Sequence, residues 1–245
     1  MKKTVLINQS GALGDIFCVA PIAKYYRKQG YIVFWPVREQ FFNLVANYFP
    51  YVNALMIDKK RIDSYTWDTG DWLKDDSLYI HSIKQHYDVF LDLADRGDAP
   101  MEQGGETFEE TKYRIASVPY ENKHRLEFTV DYPKARRIER IFGSNTPEYV
   151  LAHLSSSHGD RAEVPKDETR SILEIVPYED YEIPDWIFLI QGAKAFYCVE
   201  SAVHQFVDGI INKVNNKELY LLSRASLKPG ECYTKSEFWN KKYMK

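Results

Sequence analysis

The sequence predicts an α/β protein built as two Rossmann-like lobes with parallel sheets. Three observations predict it. An apolar run, Val5-Leu6-Ile7, passes through a glycine turn into a helix; strands and helices then alternate through the first half; and a new apolar strand from Tyr149 restarts the pattern after a Gly/Pro-rich break. Alternation of this kind gives parallel strands joined by right-handed crossovers.

Taken in order, residues 4–9 read as the first strand, 15–29 as a helix, 31–35 as a strand, 38–47 as a helix and 53–57 as a strand. The polar stretch Asp63 to Asp76 reads as loop, and Leu78 to Lys84 fits either regular structure. Tyr87-Asp88-Val89-Phe90-Leu91-Asp92-Leu93 is again an apolar strand. Residues 95–107, with Gly97, Pro100, Gly104 and Gly105, read as a loop, and a helix follows near 108–117. A basic helix from Asp131-Tyr132-Pro133 ends in Gly143-Ser144-Asn145-Thr146-Pro147, the best linker in the chain, which sets domains at 1–145 and 146–245. The second domain opens on strand 149–154 and carries a short apolar strand, 195–199, ahead of a helix beginning near Ala202.

Composition excludes several classes. The 245 residues are 44% hydrophobic, enough for a sizeable core. No window approaches the roughly 18 uninterrupted apolar residues of a spanning helix, and Met1-Lys2-Lys3 leads into a short strand rather than a signal-peptide core, so a cytoplasmic protein without a membrane span is expected. Three cysteines, Cys18, Cys198 and Cys232, have neither disulfide nor zinc spacing, and reduced thiols and no metal are expected. A net charge of −3 disfavours nucleic acid, despite local clusters at Lys134-Ala135-Arg136-Arg137 and Lys241-Lys242. The 18 tyrosines suit sugar stacking and core packing equally.

Three segments carry chemistry. In Asn8-Gln9-Ser10-Gly11-Ala12-Leu13-Gly14-Asp15, Gly11 and Gly14 let the backbone approach a ligand, and Asp15 falls in the first helical turn, where a carboxylate suits the helix dipole and can serve as a base or simply start the helix. After the apolar strand at 195–199, Glu200, Ser201 and His204 gather at a helix N-terminus, a phosphate site by geometry and dipole, with Ser201 also readable as a plain N-cap. Leu154-Ser155-Ser156-Ser157-His158-Gly159-Asp160-Arg161, with Lys166 beyond, offers hydroxyls and cations to an anion at the end of the second domain's first strand, or is an exposed loop.

The opening βαβ segment through Pro21 to Pro36 resembles that of the heptosyltransferase-like glycosyltransferases, inverting enzymes of the two-domain GT-B fold with an interdomain cleft. In that family a Gly-Asp pair heads the first helix with a proline within two turns, here Gly14, Asp15 and Pro21. The resemblance makes Asp15 the general base. Phe17, Cys18 and Val19 occupy the stretch where the family carries a histidine. Glu200-Ser201-Ala202-Val203-His204 is similar to the family's donor-binding block, an acid-Thr/Ser-Gly-x-x-His run after a hydrophobic strand, with Glu200 for the usual Asp, Ser201 at the hydroxyl, Ala202 where Gly is common and His204, one residue closer than that spacing, for the histidine. Ser155, Ser156 and a cation, Arg161 or Lys166, match the turn used on donor phosphates.

The implied reaction is metal-independent transfer of a sugar from a nucleotide-diphosphate donor to the hydroxyl of a glycan or another acceptor, the donor being a substrate and no cofactor being needed. The resemblance also implies a C-terminal helix around Lys235–Lys242 that returns to the first lobe. The chain is short for this family. Its length keeps open a non-catalytic nucleotide or sugar-phosphate binding module, and the basic cluster at 134–140 keeps open a glycosyltransferase acting on hydroxymethylated DNA bases.

Overall fold

The computed structural model describes residues 2–57, 72–94, 105–143, 148–156, 159, 161–166, 168–214, 218–222 and 238–242. Strand β1, Thr4–Asn8, places Val5, Leu6 and Ile7 fully out of solvent, the mark of a parallel strand covered on both faces. Helix α1, Leu13–Lys28, buries Ile16, Phe17, Val19, Ala20, Ile22 and Ala23, with Asp15 in its first turn and Arg27 and Lys28 in its last, as the helix dipole favours. Strand β2 (Ile32–Arg38), helix α2 (Glu39–Tyr48) and strand β3 (Asn53–Ile57) continue the alternation. Helix α3 (Trp72–Ile83), strand β4 (Val89–Asp92) and helix α4 (Phe108–Ile115) complete the first unit. Its sheet is parallel throughout, in the order β3-β2-β1-β4.

Helix α3 lies where a loop or an undecided segment is expected. Asp76 explains the difference: it is 1% exposed, accepting from Arg38 Nε at 2.6 Å and from Ser10 Oγ at 2.8 Å. A buried acid on the inner face breaks the apolar periodicity by which a helix is recognised.

The second unit comprises Val130–Lys245 together with the segment Ala99–Thr107. It contains α5 (Tyr132–Phe142), β5 (Tyr149–His153), β6 (Ser171–Glu174), α6 (Ile187–Gly192), β7 (Ala195–Val199), α7 (Ala202–Gly209), β8 (Glu218–Leu222) and β9 (Asn240–Lys242). All five strands are parallel, in the order β6-β5-β7-β8-β9. Helix α5 packs here rather than in the first unit, because its buried residues Ala135 and Ile138 sit against α6 and the 3₁₀ turn Ile183–Trp186. The compact units therefore divide between Thr129 and Val130, upstream of the Gly/Pro-rich break, whose residues 144–147 lie outside the described residues. Of the loop expected at 95–107, residues 95–104 do too.

The expected C-terminal helix is corrected. Residues 235–237 lie outside the described residues, but Asn240–Lys242 is a strand paired with β8, Tyr220 opposite Asn240 and Leu222 opposite Lys242. Trp239 pins it: the indole is 4% exposed, packs on Phe196 with centroids 5.9 Å apart, and donates Nε1–H to Asp208 at 3.0 Å. Among the described residues no helix is long and apolar enough to cross a membrane.

Candidate functional site

In an open parallel sheet, ligands bind beyond the carboxyl ends of the strands where strand order reverses. The first sheet reverses between β1 and β4, which flank one another while β2 continues on the far side of β1. The second reverses between β5 and β7, with His153 opposite Cys198 in the register. Each unit thus has its own crevice.

At the β1 and β4 ends the side chains form one buried polar network. Gln9, 1% exposed, donates from Nε2 to the Gly11 carbonyl at 2.9 Å and to Asp15 Oδ2 at 3.2 Å. Lys112, 2% exposed, donates to Gln9 Oε1 at 2.7 Å and to the Leu93 carbonyl at 2.6 Å, with Asp15 Oδ1 at 3.7 Å. Asp15 is therefore gripped on both oxygens, one by an amide and one by an ammonium, yet keeps 17% of its side chain in solvent. Glu109, on the same helix as Lys112, is fully buried and accepts from Lys123 and from the Tyr120 hydroxyl at 2.9 Å. These charges sit beside Cys18, whose thiol is pushed well up, chiefly by burial and next by Glu109.

The turn ahead of α1 carries a left-handed backbone. The left-handed residue is Ala12, at φ 59° and ψ 110°, and neither Gly11 nor Gly14 has a positive φ. Gly11 is buried and Gly14 half-buried. A Cβ at that backbone conformation stores strain, which concentrates at functional turns.

In the second unit Ser201 caps α7, its hydroxyl accepting the His204 backbone N–H at 3.4 Å. That hydroxyl also lies 3.0 Å from His153 Nδ1. His204, expected to face a phosphate, has no exposed surface here, and its ring meets Trp239 edge to face at 4.7 Å. The position that puts a histidine one turn into the helix also turns it inward, and Glu200, at 3% exposure, is withdrawn as well.

Along the next residues, Arg161 donates to Ser155 Oγ at 3.0 Å and forks onto the Glu174 carboxylate at 2.8 and 2.9 Å. Ser155 and Arg161 are exposed and joined by a β-bridge; Ser156 is half-buried and Lys166 exposed. Because His153, Leu154 and Ser155 are consecutive, β5 delivers the imidazole and the hydroxyl to the same strand end.

The basic cluster on α5 spends its charge locally. Arg136 pairs with Glu139, Arg137 with Glu179, and Lys134 donates to the Asp180 carbonyl. Among the described residues no group of histidine, cysteine and acidic side chains has the arrangement of a metal site.

Sequence reasoning missed Lys112 and His153. Lys112 sits in Phe108-Glu109-Glu110-Thr111-Lys112, indistinguishable in type from a solvated helix face. His153 carried one signal, its place as the last residue of an apolar strand entering a serine turn.

Solved glycosyltransferase structures match the fold over nearly the whole chain. The family 9 glycosyl transferase from Veillonella parvula DSM 2008 has a TM-score of 0.55 at 10% identity, with 99% of this chain and 86% of that one covered. The fold is that of the family 9 glycosyltransferases. The E. coli ADP-heptose lipopolysaccharide heptosyltransferase II shares it, at a TM-score of 0.52 and 10% identity over 99% of this chain and 90% of the other. No family model and no curated protein matches the sequence. Within the glycosyltransferase fold, Asp15 heads the first helix of the first unit and Ser201 caps a helix at the crevice of the second.

Proposed function

We propose that this protein is a glycosyltransferase that moves a sugar from a nucleoside-diphosphate donor to an acceptor hydroxyl without a metal. The observation that carries the reading is Asp15, a partly exposed carboxylate held on both oxygens at the crevice of the first sheet. A base in this setting takes the acceptor proton as the hydroxyl attacks the anomeric carbon. The second unit supports donor binding: the dipole of α7, whose N-terminus Ser201 caps, favours an anion, and Arg161 and Lys166 stand on the loop after β5 as cations for the departing diphosphate. Arg161 is committed to Glu174, so its use on a phosphate requires exchange of partner.

The test is a thermal-shift series with ADP, GDP, UDP and their sugars, followed by donor turnover. A ligand at a hundredfold its dissociation constant stabilises by about 2.7 kcal/mol. Stabilisation by one diphosphate, with release of that diphosphate from its sugar in wild type and not in Asp15→Asn, supports transfer. Stabilisation without turnover toward any hydroxyl acceptor leaves a binding module, and absence of stabilisation overturns the donor reading.

A further inference from the structure

Resting on the donor reading, we propose that His153 is a phosphate-recognising residue of the second unit, a neutral imidazole that donates its Nε2–H to a nucleoside-diphosphate oxygen, its tautomer set by Ser201. Place is the first argument. His153 ends β5 and Ser201 follows β7, so the pair straddles the one point where the order of the second sheet reverses.

The second argument is the direction of the hydrogen bonds. Ser201 Oγ accepts the His204 N–H, and its single hydroxyl hydrogen has two acceptors within reach, His153 Nδ1 at 3.0 Å and Cys198 Sγ at 3.7 Å. The nitrogen is both nearer and the stronger acceptor, and the Cys198 thiol is itself turned on the Val199 carbonyl at 3.1 Å. The proposed arrangement assigns that hydrogen to Nδ1. An imidazole that accepts at Nδ1 and is neutral carries its proton on Nε2. Nε2 makes no hydrogen bond among the described residues, while the adjoining Ser155 hydroxyl is exposed at the same strand end.

The third argument is charge. Burial pushes His153 down to about 4, with Glu174 pulling only partly the other way, so the ring is neutral at ordinary pH. A neutral donor recognises a phosphate by one directed hydrogen bond rather than by ion pairing. His204, the histidine nearest in sequence to the cap, is enclosed against Trp239 and leaves the task to His153.

The experiment is calorimetric titration of ADP, GDP and UDP, each beside its parent nucleoside, into wild type, His153→Phe and His153→Gln. For the diphosphate that wild type binds, His153→Phe weakens affinity roughly ten- to a hundredfold and leaves the nucleoside within about twofold. His153→Gln, whose amide N–H reaches the place of Nε2, retains most of the affinity and guards against misfolding as the cause. The wild-type to His153→Phe ratio stays level from about pH 5.5 to about 8, where a cationic imidazole would lose its advantage as pH rises. Long-range ¹H–¹⁵N spectra show the Nε2–H tautomer in wild type and a mixture in Ser201→Ala. Unchanged diphosphate affinity in His153→Phe, equal loss for the nucleoside, a ratio that falls through about pH 6.5, or an Nδ1–H tautomer in wild type each overturns the inference while the donor reading stands. Failure of wild type to bind any of the three diphosphates overturns both.

Discussion

Asp15 and Lys112 act as a unit. The ammonium donates to Gln9 Oε1 and to the Leu93 carbonyl and forms an ion pair with Asp15 Oδ1 at 3.7 Å. Asp15→Asn keeps the shape and loses the base, so turnover should fall by roughly 10²–10⁴-fold while donor affinity, measured by calorimetry, stays within a few-fold. Lys112→Met leaves a mostly buried carboxylate without its cation and should cost about 2–4 kcal/mol in urea unfolding, less than a fully buried pair because Asp15 reaches solvent. The double variant Lys112→Met with Asp15→Asn should recover part of that loss; equal stability of the single and double variants would show that the two residues are uncoupled. His153 gives a pH dependence. Its folded value of about 4 lies below the unfolded value near 6.5, so the unfolded chain binds the proton first as pH falls. Stability from this group is complete above about pH 6.5 and is lost toward pH 4, by about 3 kcal/mol, and His153→Gln should flatten that limb in denaturation midpoints taken across the range.

At the scale of elements, the two strand-turn-helix units carry the site and each shows a different local device. The first is strained: Ala12 holds a left-handed backbone ahead of α1 without a side-chain cap. Ala12→Gly should raise stability by about 1 kcal/mol, relief of strain exceeding the entropy of the added glycine; a drop in thermal midpoint would show that the conformation is not strained. The second is capped: Ser201 takes the His204 amide, and the helix starts where an N-cap demands. Helix α6 shows close packing. A Cβ on Gly192 would run into the Tyr149 hydroxyl, which donates to the Leu189 carbonyl at 2.8 Å. Gly192→Ala should therefore cost about 1–3 kcal/mol, and Tyr149→Phe, which removes the obstructing oxygen, should restore part of it.

At the scale of the molecule, each unit owns a parallel sheet, a crevice and a distinct chemistry: a gripped carboxylate in one, an imidazole, a hydroxyl and cations in the other. A nucleoside diphosphate without acceptor should accordingly slow amide hydrogen exchange at 153–156 and 199–204 while leaving 9–15 unchanged. Protection confined to 9–15 would assign the donor to the wrong unit. The basic helix α5 should bring no steeply salt-dependent binding to duplex DNA, since Arg136 and Arg137 are paired with Glu139 and Glu179.

The sequence by itself determined what depends on neighbours a few residues apart. The alternation of strands and helices, the strand at 195–199, the helix beginning at Ala202, the Ser201 cap and the place of Asp15 in a first turn all follow from local periodicity, turn chemistry and capping. Tertiary structure decided which polar residues go inside. Lys112 reaches Gln9 across 103 residues, Asp76 reaches Ser10 across 66, and His153 reaches Ser201 across 48. In the sequence these lysines and aspartates look like any solvated charge, because burial of a charge is set by whether a partner arrives from elsewhere in the chain. The same cause separates the two histidines. His204 has the spacing that suggests a ligand, but Trp239 closes over it from the last strand, whereas His153 gains its role only when the register of β5 against β7 brings it to the Ser201 hydroxyl.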